Sequence, residues 1–198
     1  MGDDEIYNPL DKLSLGRSVV DALLGSREVN LSELGHISDP FHGAGIYAIY
    51  YRGDFEHYLD LARMNQKSGR VPIYVGKAIP RGGRKGSSLE ISNASNSLAK
   101  RILEHRKSID TVPSLNVADF SARFLAVDDI WISLGESMAI DRYRPLWNLV
   151  VEGFGNHNPG SGRFRGKRPL WDELHPGRAW AEKCAPSKLH RDAILEKV

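Results

Sequence analysis

Apolar and polar residues fall into short, separated blocks along this 198-residue chain. Gly45-Ile46-Tyr47-Ala48-Ile49-Tyr50-Tyr51 is continuously apolar, β-branched and aromatic, and Gly45 and Gly53 bound it. It predicts a buried strand. Pro72-Ile73-Tyr74-Val75-Gly76 predicts a second strand, with Pro72 at the first position, where a missing N–H is tolerated. A third runs from Phe120 to Val127. Between the strands the apolar spacing turns helical. Asp11 to Leu24 predicts a helix ended by Gly25, and Asp54 to Gln66 one ended by Ser68-Gly69-Arg70. Leu98 to Ile109 and Asp128 to Tyr143 predict two more, the last stopped by Pro145. A short helix is expected near Arg178-Ala179-Trp180, a loop over 80–96, and a glycine-rich basic stretch over 152–168.

After an N-terminal extension, 1–40, the core of the chain therefore reads strand, helix, strand, helix, strand, helix. Such an order predicts an α+β fold, a small central three-stranded sheet flanked by helices. The core is expected at 41–152. A basic, glycine-rich tail, 153–198, is expected to pack on the same single domain. Pattern alone does not fix the strand directions.

Composition narrows the class. Six Phe, seven Tyr and four Trp can anchor a core. No run of about 18 apolar residues is present to span a membrane. The start, Met1-Gly2-Asp3-Asp4-Glu5, is acidic and does not read as a signal peptide, so the cytoplasm is the expected compartment. The single Cys184 excludes an internal disulfide framework and a multi-cysteine zinc site.

The net charge of +2 argues weakly against a polyanionic partner until it is divided along the chain. Residues 1–60 carry −7, residues 61–110 carry +8 and residues 111–198 carry +1. A basic middle can present one positive face to nucleic acid. Solvated helix faces would give the same count.

Three features have the right chemistry for a phosphate. Arg101 and His105 are four apart on one helix, hence neighbours at the margin of its apolar face. A guanidinium can clamp a phosphate and an imidazole can move a proton near neutrality; an ordinary exposed basic helix has the same spacing. Arg106 falls inside the apolar arc with no evident reason. Glu136 lies among Ile132, Ala139, Ile140 and Tyr143 on its helical wheel, so its carboxylate needs a cation, a metal or donors. It reads either as a ligand of a hard metal or as the last residue of a capping box, Ser133-Leu134-Gly135-Glu136. Tyr47 and Tyr74 sit in two strands, each beside a glycine. They are either core tyrosines or paired phenols facing a phosphate or water. Gly82-Gly83-Arg84-Lys85-Gly86-Ser87 lacks the P-loop Gly-Lys-Ser/Thr, and Gly153-Phe154-Gly155 lacks the dinucleotide glycine spacing.

Gly45-Ile46-Tyr47 followed by Tyr74-Val75-Gly76 resembles the signature of the GIY-YIG nuclease superfamily, with Val75 for the usual Ile. Arg101, Glu136 and Asn148 of Pro145-Leu146-Trp147-Asn148 follow in the superfamily's order. The resemblance spans residues 43–150. One departure is the 26 residues between Tyr47 and Tyr74, where the superfamily has a much shorter gap. That insertion, His105, the segment from Gly153 to Phe164 and His175-Pro-Gly-Arg-Ala-Trp-Ala-Glu-Lys-Cys184 resemble the type II restriction endonuclease branch.

The resemblance implies an antiparallel sheet and hydrolysis of phosphodiesters with one divalent metal, Mg²⁺, with Mn²⁺ as a substitute. Glu136 would bind the metal and Arg101 would stabilise the transition state. Tyr47 would act as general base or relay a proton to His105, Tyr74 would hold the phosphate or water, and Asn148 would support the site. The expected DNA contacts are Arg81, Arg84 and Lys85 in the loop, with Arg163, Arg165, Lys167 and Arg168 as the preferred base-reading stretch. Asn156 and His157 are secondary. A disordered basic tail is the competing reading. The expected partner is double-stranded DNA, bound by a homodimer on a palindrome such as CCGCGG, with a cognate methyltransferase in the same system but not bound as a subunit. A repair or homing nuclease would predict an extra DNA-binding domain, for which this length leaves little room. A non-catalytic binding module would predict loss of Arg101 or Glu136.

Overall fold

The seven-residue strand Gly45–Tyr51 (β2) is buried along its whole length, because sheet neighbours flank it and helices cover both of its faces. In this computed structural model, which describes residues 11–34, 42–79, 95–160 and 164–198, β2 pairs antiparallel with Tyr74–Ala78 (β3) and with Phe120–Ala126 (β4). A two-residue strand, Val29–Asn30 (β1), adds to the far edge of β4, giving the order β1-β4-β2-β3. The sheet thus has a fourth strand beyond the three expected. β1 is too short to carry an alternation of its own. Glu28 holds it in place through Arg52 (2.5 Å), Arg123 (3.0 Å) and the Ser121 hydroxyl.

Alternation along β2 sorts the core into two layers. Ile46, Ala48 and Tyr50 pack with Val20, Leu23, Ile132 and Ala139 on one face, the face of Lys12–Gly25 (α1) and Asp129–Tyr143 (α4). Tyr47, Ile49 and Tyr51 pack on the other with Leu98, Ile102 and Ile109 of Ser97–Asp110 (α3) and with Trp147, Phe154 and Trp171. The expected helix over 54–66 is a 3₁₀ turn, Glu56–Tyr58, followed by Leu59–Ser68 (α2), which ends on Gly69 in the left-handed region. Asn65 secures this insertion by donating to the Tyr51 and Val71 carbonyls and accepting from Val71 N.

α4 starts at Asp128, whose side chain accepts from Ile130 N. Ser133 is therefore mid-helix, and the capping-box reading of Ser133–Glu136 fails because Asp128 caps that helix. Among the described residues three short helices follow: Leu146–Leu149 (α5), Leu170–Leu174 (α6) and Arg191–Leu195 (α7). Near Trp180 the chain forms a 3₁₀ turn, Ala181–Lys183, rather than a helix over 178–180.

Candidate active site

The register places Tyr47 opposite Gly76 and Ile49 opposite Tyr74, so both tyrosines point to the α3 face as diagonal neighbours. Their ring centroids are 6.3 Å apart. Gly76 makes the close approach possible: a Cβ there would stand 2.6 Å from Tyr47 Cζ. The phenol of Tyr47 thereby lies across β3 toward α3. There its hydroxyl meets His105 Nε2 at 2.6 Å.

α3 delivers both of its predicted residues to this point. His105 lies on the buried face with Leu98, Ile102 and Ile109, and is itself 2% exposed. Its ring stacks on Phe154 (4.6 Å, 20°) and meets the Tyr74 ring edge-on at 5.2 Å. Burial pushes the imidazole well below its ordinary pKa, and the Arg101 cation adds to that push. Burial pushes Tyr47 well above the usual phenol value. Both shifts keep the proton on oxygen and leave Nε2 as acceptor. Arg101, one turn earlier, donates to the Gly155 carbonyl (2.7 Å) and to Glu104 Oε2 (3.1 Å), and it also contacts His157.

Glu136 reaches the site from the opposite face of the sheet. It projects from α4 and pairs with Lys77 Nζ at 2.7 Å. Lys77 stands opposite Ile46, on the face away from Tyr47. The carboxylate nevertheless contributes to the electrostatics of both Tyr47 and Tyr74. The site therefore straddles the edge strand β3, with the phenols, His105 and Arg101 on one side and Lys77 and Glu136 on the other. Among the described residues no group of three His, Cys, Asp or Glu is placed to hold a metal. One carboxylate would serve a cation such as Mg²⁺ only with waters and phosphate oxygens as its other ligands, and the Lys77 ammonium on Oε2 competes with that cation.

Asn148 follows Pro145 on α5 and acts on the outer edge of β3. Its Oδ1 accepts from Val75 N and its Nδ2 donates to Val75 O, both at 2.8 Å. The amide thus imitates the peptide of a neighbouring strand and fixes the residue between Tyr74 and Gly76.

The expected DNA contacts are placed unevenly. Arg81, Arg84, Lys85 and Arg163 lie outside the described residues. His157 and Asn156 border the site. His157 is exposed beside Arg101, and Asn156 lends its carbonyl to Arg178 (3.2 Å). Arg165 and Lys167 are exposed. Arg168 is tied to Glu173 (3.3 Å) and to the Ala181 carbonyl (3.3 Å). Lys77, Phe154 and Arg178 were not picked out from the sequence. Lys77 had a signal available, a lysine in a strand directly after Tyr-Val-Gly. Phe154 and Arg178 lie in segments that carry the family resemblance, but their roles depend on contacts made across the fold.

A family model described as the Eco29kI GIY-YIG domain matches residues 39–198. The chain belongs to that family. It is therefore a GIY-YIG nuclease of restriction-enzyme type, whose substrate is DNA. No curated protein matches the chain. Residues 39–198 take in Tyr47, Tyr74, Arg101, His105, Glu136, Asn148, Lys77 and the loop from Gly153 to His157, so the whole cluster falls inside the family's span. Among the described residues no helix is long and apolar enough to cross a membrane.

Proposed function

We propose that this protein is a site-specific endonuclease that cuts double-stranded DNA with one Mg²⁺, held by Glu136 and replaceable by Mn²⁺. The observation that carries the reading is the 2.6 Å Tyr47–His105 hydrogen bond, buried yet bordered by the Arg101 guanidinium. The attacking water gives its proton to Tyr47 Oη as Tyr47 passes its own to His105 Nε2. The buried imidazole is a weak base in the free protein. A scissile phosphate beside it brings the negative charge that favours the imidazolium. Arg101 neutralises the charge that builds on the phosphoryl oxygens, and Tyr74 orients the phosphate or water. The metal, when bound, supplies positive charge that polarises the phosphate and stabilises the leaving oxygen. Lys77 and Asn148 hold Glu136 and β3 in place. The water oxygen bonds to phosphorus, the bond to the leaving oxygen breaks, and that oxygen takes a proton from solvent.

A homodimer on a CG-rich palindrome such as CCGCGG would cut one strand per subunit. A cytoplasmic location beside a separate methyltransferase completes the reading. The test is incubation of the protein with plasmid and Mg²⁺. Discrete fragments that vanish with EDTA and with Glu136→Ala are expected. Binding without cleavage in both Mg²⁺ and Mn²⁺ would overturn the proposal, and a continuous smear would favour a repair-type nuclease.

A further inference from the structure

Arg178 lies 22 residues beyond Asn156 in sequence and is only 5% exposed. Every N–H of its guanidinium is engaged. Nε and Nη2 form a two-point pair with Asp172 (2.6 and 2.5 Å). Nη1 donates to the Phe154 and Asn156 carbonyls (2.9 and 3.2 Å), and Nη2 also donates to the Gly153 carbonyl (3.0 Å). The guanidinium lies over Trp171 and Trp180, at 4.6 and 4.8 Å from the ring centroids. One cation thus gathers three carbonyls of a five-residue loop. The carbonyl it leaves free between them, Gly155 O, is the one that holds Arg101. The side chain between the first two is Phe154, the ring stacked on His105. Gly155 itself has no room for a side chain, because a Cβ would strike the Tyr74 hydroxyl.

We propose that the Arg178–Asp172 pair is the positioning device of the active site, setting Arg101 through Gly155 O and His105 through Phe154 without touching DNA. The inference rests on the nuclease reading for its effect on rate. Lys cannot reproduce it. A single ammonium has three donors and no planar fork for five bonds, whereas the positive charge beside Asp172 remains.

The test compares wild type with Arg178→Lys in two ways. In Arg178→Lys the single-turnover cleavage rate at saturating DNA should fall about a hundredfold while Kd for DNA changes by less than about threefold. The second readout needs no activity. It is the ¹⁵N titration of the His105 imidazole in the DNA-free protein, whose ionisable neighbours are Tyr47 of β2, Tyr74 of β3, Arg101 of α3, His157 of the loop and Arg178. Release of the loop should hydrate the ring and raise its pKa toward the ordinary range, although the charge at 178 is kept. If Arg178→Lys does not fold, Asp172→Asn, which keeps the shape and loses the charge, takes its place with the same two expectations. An unchanged rate together with an unchanged His105 titration overturns the inference. If wild type cuts no DNA, the nuclease reading falls and the titration alone decides.

Discussion

Among the described residues two buried tyrosine–histidine hydrogen bonds are of nearly equal length. Tyr47 meets His105 at 2.6 Å, and Tyr58 meets His175 at 2.7 Å. Burial raises both phenols and depresses both imidazoles. Their surroundings differ. Trp147 Nε1, which can only donate, gives its hydrogen to Tyr58 Oη at 3.0 Å. Tyr58 then donates to His175 Nε2, and His175 Nδ1–H donates to Ser114 Oγ at 2.8 Å. This chain ends on the half-buried Ser114 hydroxyl, and the charged group that acts on both Tyr58 and His175 is Arg191. The Tyr47–His105 pair instead borders the Arg101 cation, at a sheet edge where Lys77 and Glu136 arrive from the other face. On the proposed reading, a buried Tyr–His bond becomes a chemical device through the charges around it, not through its own geometry.

Removing each phenol tests the contrast most strongly. Tyr47→Phe should lower single-turnover cleavage by about 10²–10⁴-fold with DNA binding retained. Tyr58→Phe should cut DNA at nearly the wild-type rate well below its melting temperature, and lose about 1–3 kcal/mol in urea unfolding. Equal rate losses in the two variants would erase the distinction. Gly76→Ala should follow, with a rate loss of about a hundredfold, because a Cβ at 76 displaces the Tyr47 ring. A normal rate would mean that the ring can shift without penalty.

Acid probes the second pair more gently. Burial pushes His175 down to about 3. The unfolded residue binds its proton near pH 6.5, so the unfolded state holds more protons between these values. Stability is therefore fully present above about 6.5 and is lost as pH falls toward 3, with about 2 kcal/mol lost between pH 7 and pH 5 from this residue. His105 is shifted in the same direction and adds to the loss. Urea titrations of wild type and His175→Gln should show the drop shrinking in the variant; an identical drop would mean that His175 protonates without unfolding. The smallest effect is expected from Ser114→Ala, about 1 kcal/mol from the lost partner of His175 Nδ1, with cleavage unchanged.

Much of this was legible from local pattern. β2 is read to the residue, and α3 and α4 to within one residue at either end, because continuous apolar runs and helical spacing report burial directly. The placing of Arg101 beside His105 follows from their four-residue spacing. His105 is buried rather than half-buried, since Phe154 closes over it from a loop about 50 residues away. Glu136 was legible as a carboxylate out of place on an apolar arc. Its pairing with Lys77 was not, because the sequence gives no register between β3 and α4. The pairing of Arg178 with Asp172 was equally hidden, as was the engagement of Arg168 with Glu173. Both arise where the tail folds back on itself, and composition counts those arginines only as positive charge.

The amide of Asn148 has a consequence for the shape of the edge it sits on. An unpaired strand invites another chain to dock along it. A fifth strand would stop that, but its backbone would lie about 4.8 Å beyond β3 and its side chains would roof over Tyr74 and Lys77. One primary amide saturates Val75 and occupies the space of a single peptide unit. The protein has in effect plugged one socket of the sheet, and Trp147 N caps the Ile73 carbonyl just before it, which guards β3 against self-association along that stretch.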